Sequence, residues 1–382
     1  MDRNLFEPEH LAFRDSVRSF IERHVAKDYE RWEHEGMVDR LLWNRAGESG
    51  FLGMSVPEEH GGGGVRDFRF NAVLTEELAG SNMLSLSSGF GLHNDVVAPY
   101  LVELGTPEQH ARWLPGFCTG DIVTAIAMTE PDAGSDLKGV RTTARRDGGS
   151  YVLNGTKTFI TNGIHADLVI VVAKTDPQAG ARGMSLLVVE RGMPGFERGR
   201  RLSKAGMHAQ DTAELVFDDV RVPAENLLGD ENGAFGHLMD NLPQERLSIA
   251  VVAGAAARAA FAWTVAYCRD RKAFGQAIGS FQNSRFKLAE MATEIDVTQH
   301  YIDQCVLEHN AGRLTAVGAA KVKWWSTEVM KRVTDTCVQL HGGYGYMDEY
   351  PISRAWRDAR VHTIFGGTTE IMKEIIGRDL GF

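Results

Sequence analysis

The apolar period of the chain changes twice, and those changes limit what it can fold into. Up to about residue 121, apolar residues recur at spacings of three and four, the mark of helices with one buried face. From Ile122 they recur at spacings of two, in short runs separated by turn residues. From Ala234 the helical spacing returns. This order predicts an α+β multidomain chain: an N-terminal all-α domain (1–121), a middle antiparallel β-barrel or sandwich (122–232) and a C-terminal four-helix bundle (233–382). A β domain between two helical ones creates seams, and seams favour ligand pockets.

Pro8 suits a first helical turn, and Phe13, Val17, Phe20 and His24 follow on one face. Further helices are predicted over Leu41–Gly50, Asp67–Ala79, Asp95–Leu104 and Pro107–Leu114. The run His60–Gly64 is a break. It lacks both the Gly-x-Gly-x-x-Gly spacing and a preceding strand, which excludes a dinucleotide fingerprint. In the middle region, Tyr151–Ile160 reads as two strands folded about an Asn154-Gly155 turn. More strands follow over Leu168–Ala173, Met184–Glu190 and Ala213–Val222. Pro243 then stands where a first helical turn would begin, and an alanine-rich helix follows to about Cys268. Two stripes come after it: Leu288, Met291, Ile295, Ile302 and Cys305, then Val322, Ser326, Val329, Val333 and Leu340. Both read as core packing.

The formal net charge of −10 argues against a nucleic-acid partner, since phosphate binding needs a basic surface. Cys118, Cys268, Cys305 and Cys337 have no paired spacing and read as buried reduced thiols. The histidines show no ligand-like spacing, so no metal is expected. No apolar run reads as long enough to span a bilayer, and Met1-Asp2-Arg3-Asn4 lacks leader character. The expectation is a cytoplasmic protein without stable membrane insertion, or a mature form.

Chemistry concentrates at Ile126–Ser135, Ile-Ala-Met-Thr-Glu-Pro-Asp-Ala-Gly-Ser. A strand leads in, Pro131 stops it, and Gly134 permits backbone that larger residues resist. Such a loop of small hydroxyls and free N–H groups suits a flat polar ligand or a phosphate. Taken alone, an ordinary strand exit is the commoner meaning.

Together with this loop, several motifs resemble the acyl-CoA dehydrogenase family, in order and over essentially the whole chain. They are Ala127–Asp136, Leu153–Gly163, Asp219–Gly229, Arg271–Gly275, Phe281-Gln282, Gln339–Pro351, Arg357–Ala359 and Gly366–Glu370. The resemblance implies FAD between the middle sheet and the C-terminal bundle, with an acyl-CoA thioester on the flavin's other face. By position, Ile126, Ala127, Met128, Thr129 and Ser135 hold the isoalloxazine edge, and Phe159, Ile160 and Thr161 lie against the ring. Arg271, Phe274, Gln282, Gln339, Leu340, His341, Gly342 and Gly343 reach the FAD of a neighbouring subunit, completed by Thr368, Thr369 and Glu370. A homotetramer, a dimer of dimers, is implied in the same way, as is an electron-transferring flavoprotein as partner. Read without the resemblance, Arg271 beside Asp270 is a surface pair, Phe159 is core, and His341 is a packed or backbone-bonded histidine.

The reaction implied takes a proton from the carbon α to the thioester and a hydride from the β carbon. The α proton needs a positioned carboxylate and a stabilised enolate oxygen. Many family members carry a glutamate immediately before Gly-Thr in the C-terminal loop; this chain has Gly366 there. The long-chain and isovaleryl branches place the base near the start of a bundle helix. The matching segment, Leu242–Leu247, makes Glu245 the candidate. Its plain alternative is an acid in a first helical turn. Gly366 keeps a backbone N–H for the carbonyl, and Pro243, Gln244, Arg246, Ser135 and Gly367 are placed against the substrate. The long-chain branch matches best, which points to a medium- to long-chain acyl-CoA. Gly236 stands where long-chain relatives tend to have a bulky aromatic and either widens the pocket or loosens a helix. The alternatives are an isovaleryl-type dehydrogenase, a same-fold oxidase or monooxygenase, and a non-catalytic flavin or acyl-CoA binder.

Overall fold

The structure, a computed structural model, describes residues 3–382; Met1 and Asp2, part of the start read above, lie outside the described residues. The first region holds seven α-helices: α1 (Pro8–Phe20), α2 (Tyr29–Glu35), α3 (Leu41–Glu48), α4 (Phe68–Gly80), α5 (Leu84–Gly91), α6 (Ala98–Leu104) and α7 (Pro107–Thr119). Proline opens α1, where its missing N–H removes one donor that a helix start leaves free, and the Thr106/Gln109 capping box opens α7 by pairing such donors. Helix α5 escapes the sequence reading because Ser85–Gly91 is rich in poor helix formers. Burial decides it: Leu84, Leu86 and Phe90 are fully enclosed, and Trp43 meets Phe90 edge-on at 5.0 Å. A π-turn, Leu92–Val97, joins α5 to α6 as one rod.

The middle region is an eight-stranded sheet: β1 (Thr124–Ala127), β2 (Thr143–Asp147), β3 (Ser150–Thr161), β4 (Leu168–Lys174), β5 (Met184–Glu190), β6 (Phe196–Arg201), β7 (Thr212–Pro223) and β8 (Leu227–Leu228). The spatial order is β6-β7-β3-β2-β4-β5-β8, with β1 also paired to β4. Two expectations are corrected here. The sheet is mixed, because β1 runs parallel to β4, as β2 does at Thr143–Lys174. A long loop leaves β1, so no hairpin can turn it back beside its successor. And Tyr151–Ile160 lies within one strand, not two. Asn154 and Asp219 exchange hydrogen bonds at 2.9 Å across β3 and β7, and a bulge at Gly155 absorbs the Asn-Gly pair. A Cβ on Gly155 would fall 2.4 Å from Thr142 Oγ1.

The last region is built on α8 (Ala234–Asp270), with a short hairpin of β9 (Lys272–Ala273) and β10 (Gln276–Ala277), then α9 (Gln282–Asn310), α10 (Ala316–His341), α11 (Pro351–Ala359) and α12 (Thr369–Asp379). Helices α8, α9 and α10 pack mutually, and α11 and α12 lie on α10. The predicted stripes face this core, with Cys337 enclosed where Leu340 is only partly covered. Pro243 does not open a helix; it lies inside α8. Ala234 and Leu238 are drawn into the core beneath the sheet, so the helix begins earlier, and the missing N–H leaves one carbonyl without its partner. The membrane reading also changes. By length and composition α8 is apolar enough to cross a bilayer, yet 56% of that window is buried inside the protein.

Candidate active site

Where the three regions meet lies a cavity of about 470 Å³. The end of β1 and the loop after it form one wall, with Ile126 from the strand and Met128, Thr129 and Ser135 from the loop. It is pinned from behind. Lys157 is fully buried and its Nζ donates to Met128 O (3.0 Å) and Glu130 Oε1 (2.8 Å). Glu130 also accepts from the backbone N–H groups of Arg141 (2.6 Å) and Thr142 (2.9 Å). Burial pushes the Lys157 ammonium down to about 8 although Glu130 opposes it. Next to this loop the end of β3 supplies Phe159, Ile160 and Thr161. Phe159 has a φ of +61° and keeps 68% of its surface exposed, so its ring is presented, not packed.

The facing wall is α8, with Glu245, Arg246 and Ile249. Glu245 is buried and accepts a hydrogen bond from the Tyr100 hydroxyl at 3.0 Å. Burial raises its carboxyl to about 7, against the opposing pull of Tyr100 and Arg246. Arg246 is 5% exposed, and its Nε has no hydrogen-bond partner. The third wall is the Gly366-Gly367 turn, with φ of +62° and +97°. A Cβ on Gly366 would sit 2.3 Å from Ile249 Cδ1, so the turn is made for glycine. Lys323, fully buried, holds it by donating to Gly367 O at 2.6 Å.

The cavity thus gathers Glu245, Arg246, Gly366, Gly367, Ile126, Met128, Thr129, Ser135, Phe159, Ile160 and Thr161. Ala127 is enclosed in the sheet core and offers only backbone. Pro243 and Gln244 do not line the cavity, because the Gln244 amide is taken by Asp95 O at 2.7 Å. Gly236 is exposed with open space around it, and its neighbours Phe235 and Met239 face inward instead. A second, shallow recess collects Arg271, Gln339, Leu340, His341, Gly342 and Gly343. His341 stacks on Tyr267 at 4.2 Å and is bonded to Cys337 O at 2.8 Å. Phe274, 95% exposed, and Gln282 at the start of α9 lie outside both recesses, as do Thr368, Thr369 and Glu370. Thr368 caps α12, and Thr369 donates to Glu328 at 2.8 Å. All four cysteines are free and buried. Among the described residues one group of potential metal ligands occurs, Glu7, Glu9 and His10; Glu7 and His10 form the capping box of α1.

Sequence reasoning missed Tyr100, Lys157 and Lys323. For Tyr100 and Lys323 a polar-tipped side chain among apolar neighbours was the available signal, since a buried hydroxyl or ammonium requires a partner; Lys157, between Thr156 and Thr158, gave none.

Three family models match in order: "Acyl-CoA dehydrogenase, N-terminal domain" over 7–121, the middle domain over 125–220 and the C-terminal domain over 233–381. The chain is 50% identical over 380 residues to the mitochondrial long-chain specific acyl-CoA dehydrogenase of Rattus norvegicus, covering 99% of this chain and 88% of that one. It is 36% identical over 379 residues to the isovaleryl-CoA dehydrogenase of Pongo abelii, covering 98% and 89%. Among solved structures, an acyl-CoA dehydrogenase from Geobacillus kaustophilus superposes with a TM-score of 0.97 at 50% identity, covering 100% of both chains. A glutaryl-CoA dehydrogenase from Mycobacterium smegmatis in complex with FADH2 superposes at 0.91 with 28% identity, covering 99% and 95%.

Proposed function

The chain belongs to the acyl-CoA dehydrogenase family and is an oxidoreductase, and from that premise we propose that it converts a medium- to long-chain acyl-CoA to the trans-2-enoyl-CoA, with FAD as cofactor and an electron-transferring flavoprotein as acceptor. The observation that carries the reading is Glu245: a buried carboxyl titrating near neutrality in the wall of the cavity, opposite a glycine turn that supplies no acid of its own. A general base works best when its pKa lies near the working pH, and burial supplies that here.

The residues of the cavity fit a flavin. The exposed face of Phe159 and the apolar ends of Ile126 and Ile160 suit a flat ring, while Thr129, Ser135 and Thr161 offer hydroxyls at its edge. Ser87 lines the same space with a buried Oγ that has no partner. When bound, FAD supplies acceptance of the hydride from the β carbon. Every other task falls to the protein. Glu245 takes the α proton; the Gly366 N–H donates to the thioester carbonyl and, held by Lys323 through Gly367 O, stabilises negative charge developing there. Arg246 orders the adjoining part of the CoA thioester, an anionic or electron-rich group satisfying its free Nε.

The second recess is assigned to the FAD of a neighbouring subunit in a tetramer. That accounts for Arg271 and Gln339–Gly343 clustering away from their own cavity and for a bare Phe274. The long-chain reading rests on the 50% identity with the rat enzyme against 36% with the isovaleryl one. Free, buried thiols suit a reducing compartment such as the cytoplasm.

The test is anaerobic titration of the FAD-loaded protein with acyl-CoAs of graded length, following flavin absorbance. Bleaching by medium and long chains, abolished in Glu245→Gln with flavin still bound, is expected. Bleaching by isovaleryl-CoA alone would move the substrate to the branched class. No bleaching by any acyl-CoA would overturn the dehydrogenase reading, and rapid reoxidation in air would favour an oxidase.

A further inference from the structure

We propose that Tyr100 is a positioning residue that holds Glu245 as a carboxylate aimed into the cavity, and that the π-turn Leu92–Val97 is what turns Tyr100 toward it. The proposal rests on Glu245 being the base.

In an uninterrupted α-helix, residues five apart point about 140° away from each other. Asp95 and Tyr100 are five apart, yet both bond to α8. The π-turn makes this possible, because its wider winding brings the fifth residue back to the same side. The rod is fastened to α8 on both sides of the base. Ser248 Oγ donates to Asp95 Oδ2, and Gln244 Nε2 donates to Asp95 O at 2.7 Å. Asn71 of α4 closes the arrangement by donating to Asp95 Oδ1 at 2.6 Å. These latches lie one residue before and three residues after Glu245, so they fix the height at which Tyr100 meets it. π-turns tend to occur at functional sites, and this one serves the base directly.

Among the described residues, Tyr100 is the side chain that hydrogen-bonds the Glu245 carboxyl. Of the other ionisable groups on the elements around it, Arg246 acts on Glu245 through space, Asp240 of α8 acts on Tyr100, Asp95 of the π-turn is bonded to Ser248 and Asn71, Lys323 of α10 faces Arg246, and His362 after α11 and Asp136 and Lys138 from the loop after β1 line the cavity. Tyr100 is itself enclosed, with no exposed surface, so the hydroxyl has no water to turn to. A donor in this position favours the ionised base. Without it, desolvation acts on Glu245 with less opposition and the carboxyl holds its proton to higher pH.

Tyr100→Phe removes that one donor. The pH profile of anaerobic flavin bleaching at low acyl-CoA reads the free base. We expect its acidic limb to move up by about one pH unit, the size of one hydrogen bond to a charge. The rate then falls roughly tenfold on the acid side of that limb and returns to the wild-type plateau or above it at high pH. Replacing Tyr100 with 3-fluorotyrosine, a stronger donor of the same shape, should move the limb the other way. Infrared difference titration of the flavin-free protein follows the protonated-carboxyl band that Glu245→Gln deletes, and reports the same displacements without turnover. A loss equal at every pH, or an infrared titration unmoved in both variants, would overturn the proposal. Full bleaching in Glu245→Gln would instead overturn the base assignment on which it stands, so the two failures are distinct. Should Tyr100→Phe not fold, the fluorotyrosine protein alone decides, since it leaves no cavity.

Discussion

Consider Gly366→Ala. The backbone there has φ +62°, which costs an ordinary L-residue about 1–2 kcal/mol. The new Cβ would also stand 2.3 Å from Ile249 Cδ1, far inside the ~3.5–4.0 Å at which carbons attract. Ile249 Cδ1 ends a side chain that can rotate, so relieving this contact costs about 0.5–1.5 kcal/mol of off-rotamer strain. The expected destabilisation is therefore about 1.5–3.5 kcal/mol. Calorimetry at saturating flavin measures it, and a double-mutant cycle with Ile249→Val, which deletes the offending carbon, separates the two parts. The steric part should vanish in the Ile249→Val background and the backbone part should stay. Rates should follow the same split, because under the proposed function the turn presents the N–H that faces the thioester. A stability for Gly366→Ala within about 0.5 kcal/mol of wild type in both backgrounds would refute the account of this turn.

Two further outcomes follow from the cavity walls. Glu245 titrates at about 7 in the folded protein against 4.5 as a free side chain, so between those values the folded state binds a proton that the unfolded chain has released. That contribution is fully present below pH 4.5 and is lost as pH rises through about 7; it amounts to as much as about 3 kcal/mol. Glu245→Gln should accordingly flatten the fall of unfolding free energy over that interval, as measured by denaturant titration at a series of pH values. Arg246→Met removes a buried guanidinium whose Nε has no partner. The flavin-free protein should keep or gain stability while acyl-CoA binding weakens by about tenfold or more, a combination that calorimetry and equilibrium binding check together.

How far the sequence spoke can be seen residue by residue. Motif order placed the loop after β1, the end of β3, Glu245 and Gly366 about one cavity, because each sits where a strand or helix delivers it. Local signals failed where tertiary contacts overrule them. Asn154-Gly155 has the chemistry of a hairpin turn, but its bond to Asp219 holds the strand straight through a bulge. Pro243 looks like a helix start, but burial of Ala234 and Leu238 begins the helix earlier. Ser85–Gly91 looks like a loop and is enclosed as helix. The contacts made by Tyr100, Lys157 and Lys323 span 145, 27 and 44 residues of sequence, and no periodicity carries information across such distances.

Helix α8 also bears on how the chain is made. It is the most membrane-like stretch of the protein by length and composition, and its main partner, α10, begins at Ala316, well downstream of Asp270. During synthesis, then, an apolar alanine-rich segment leaves the ribosome before the helix that will cover it has been translated. For that interval it can be held by α4 and by the sheet, both already made, or by a chaperone, and otherwise it invites aggregation or mistaken capture by a bilayer. The segment that carries Glu245 is the one whose safe delivery depends on the last third of the chain.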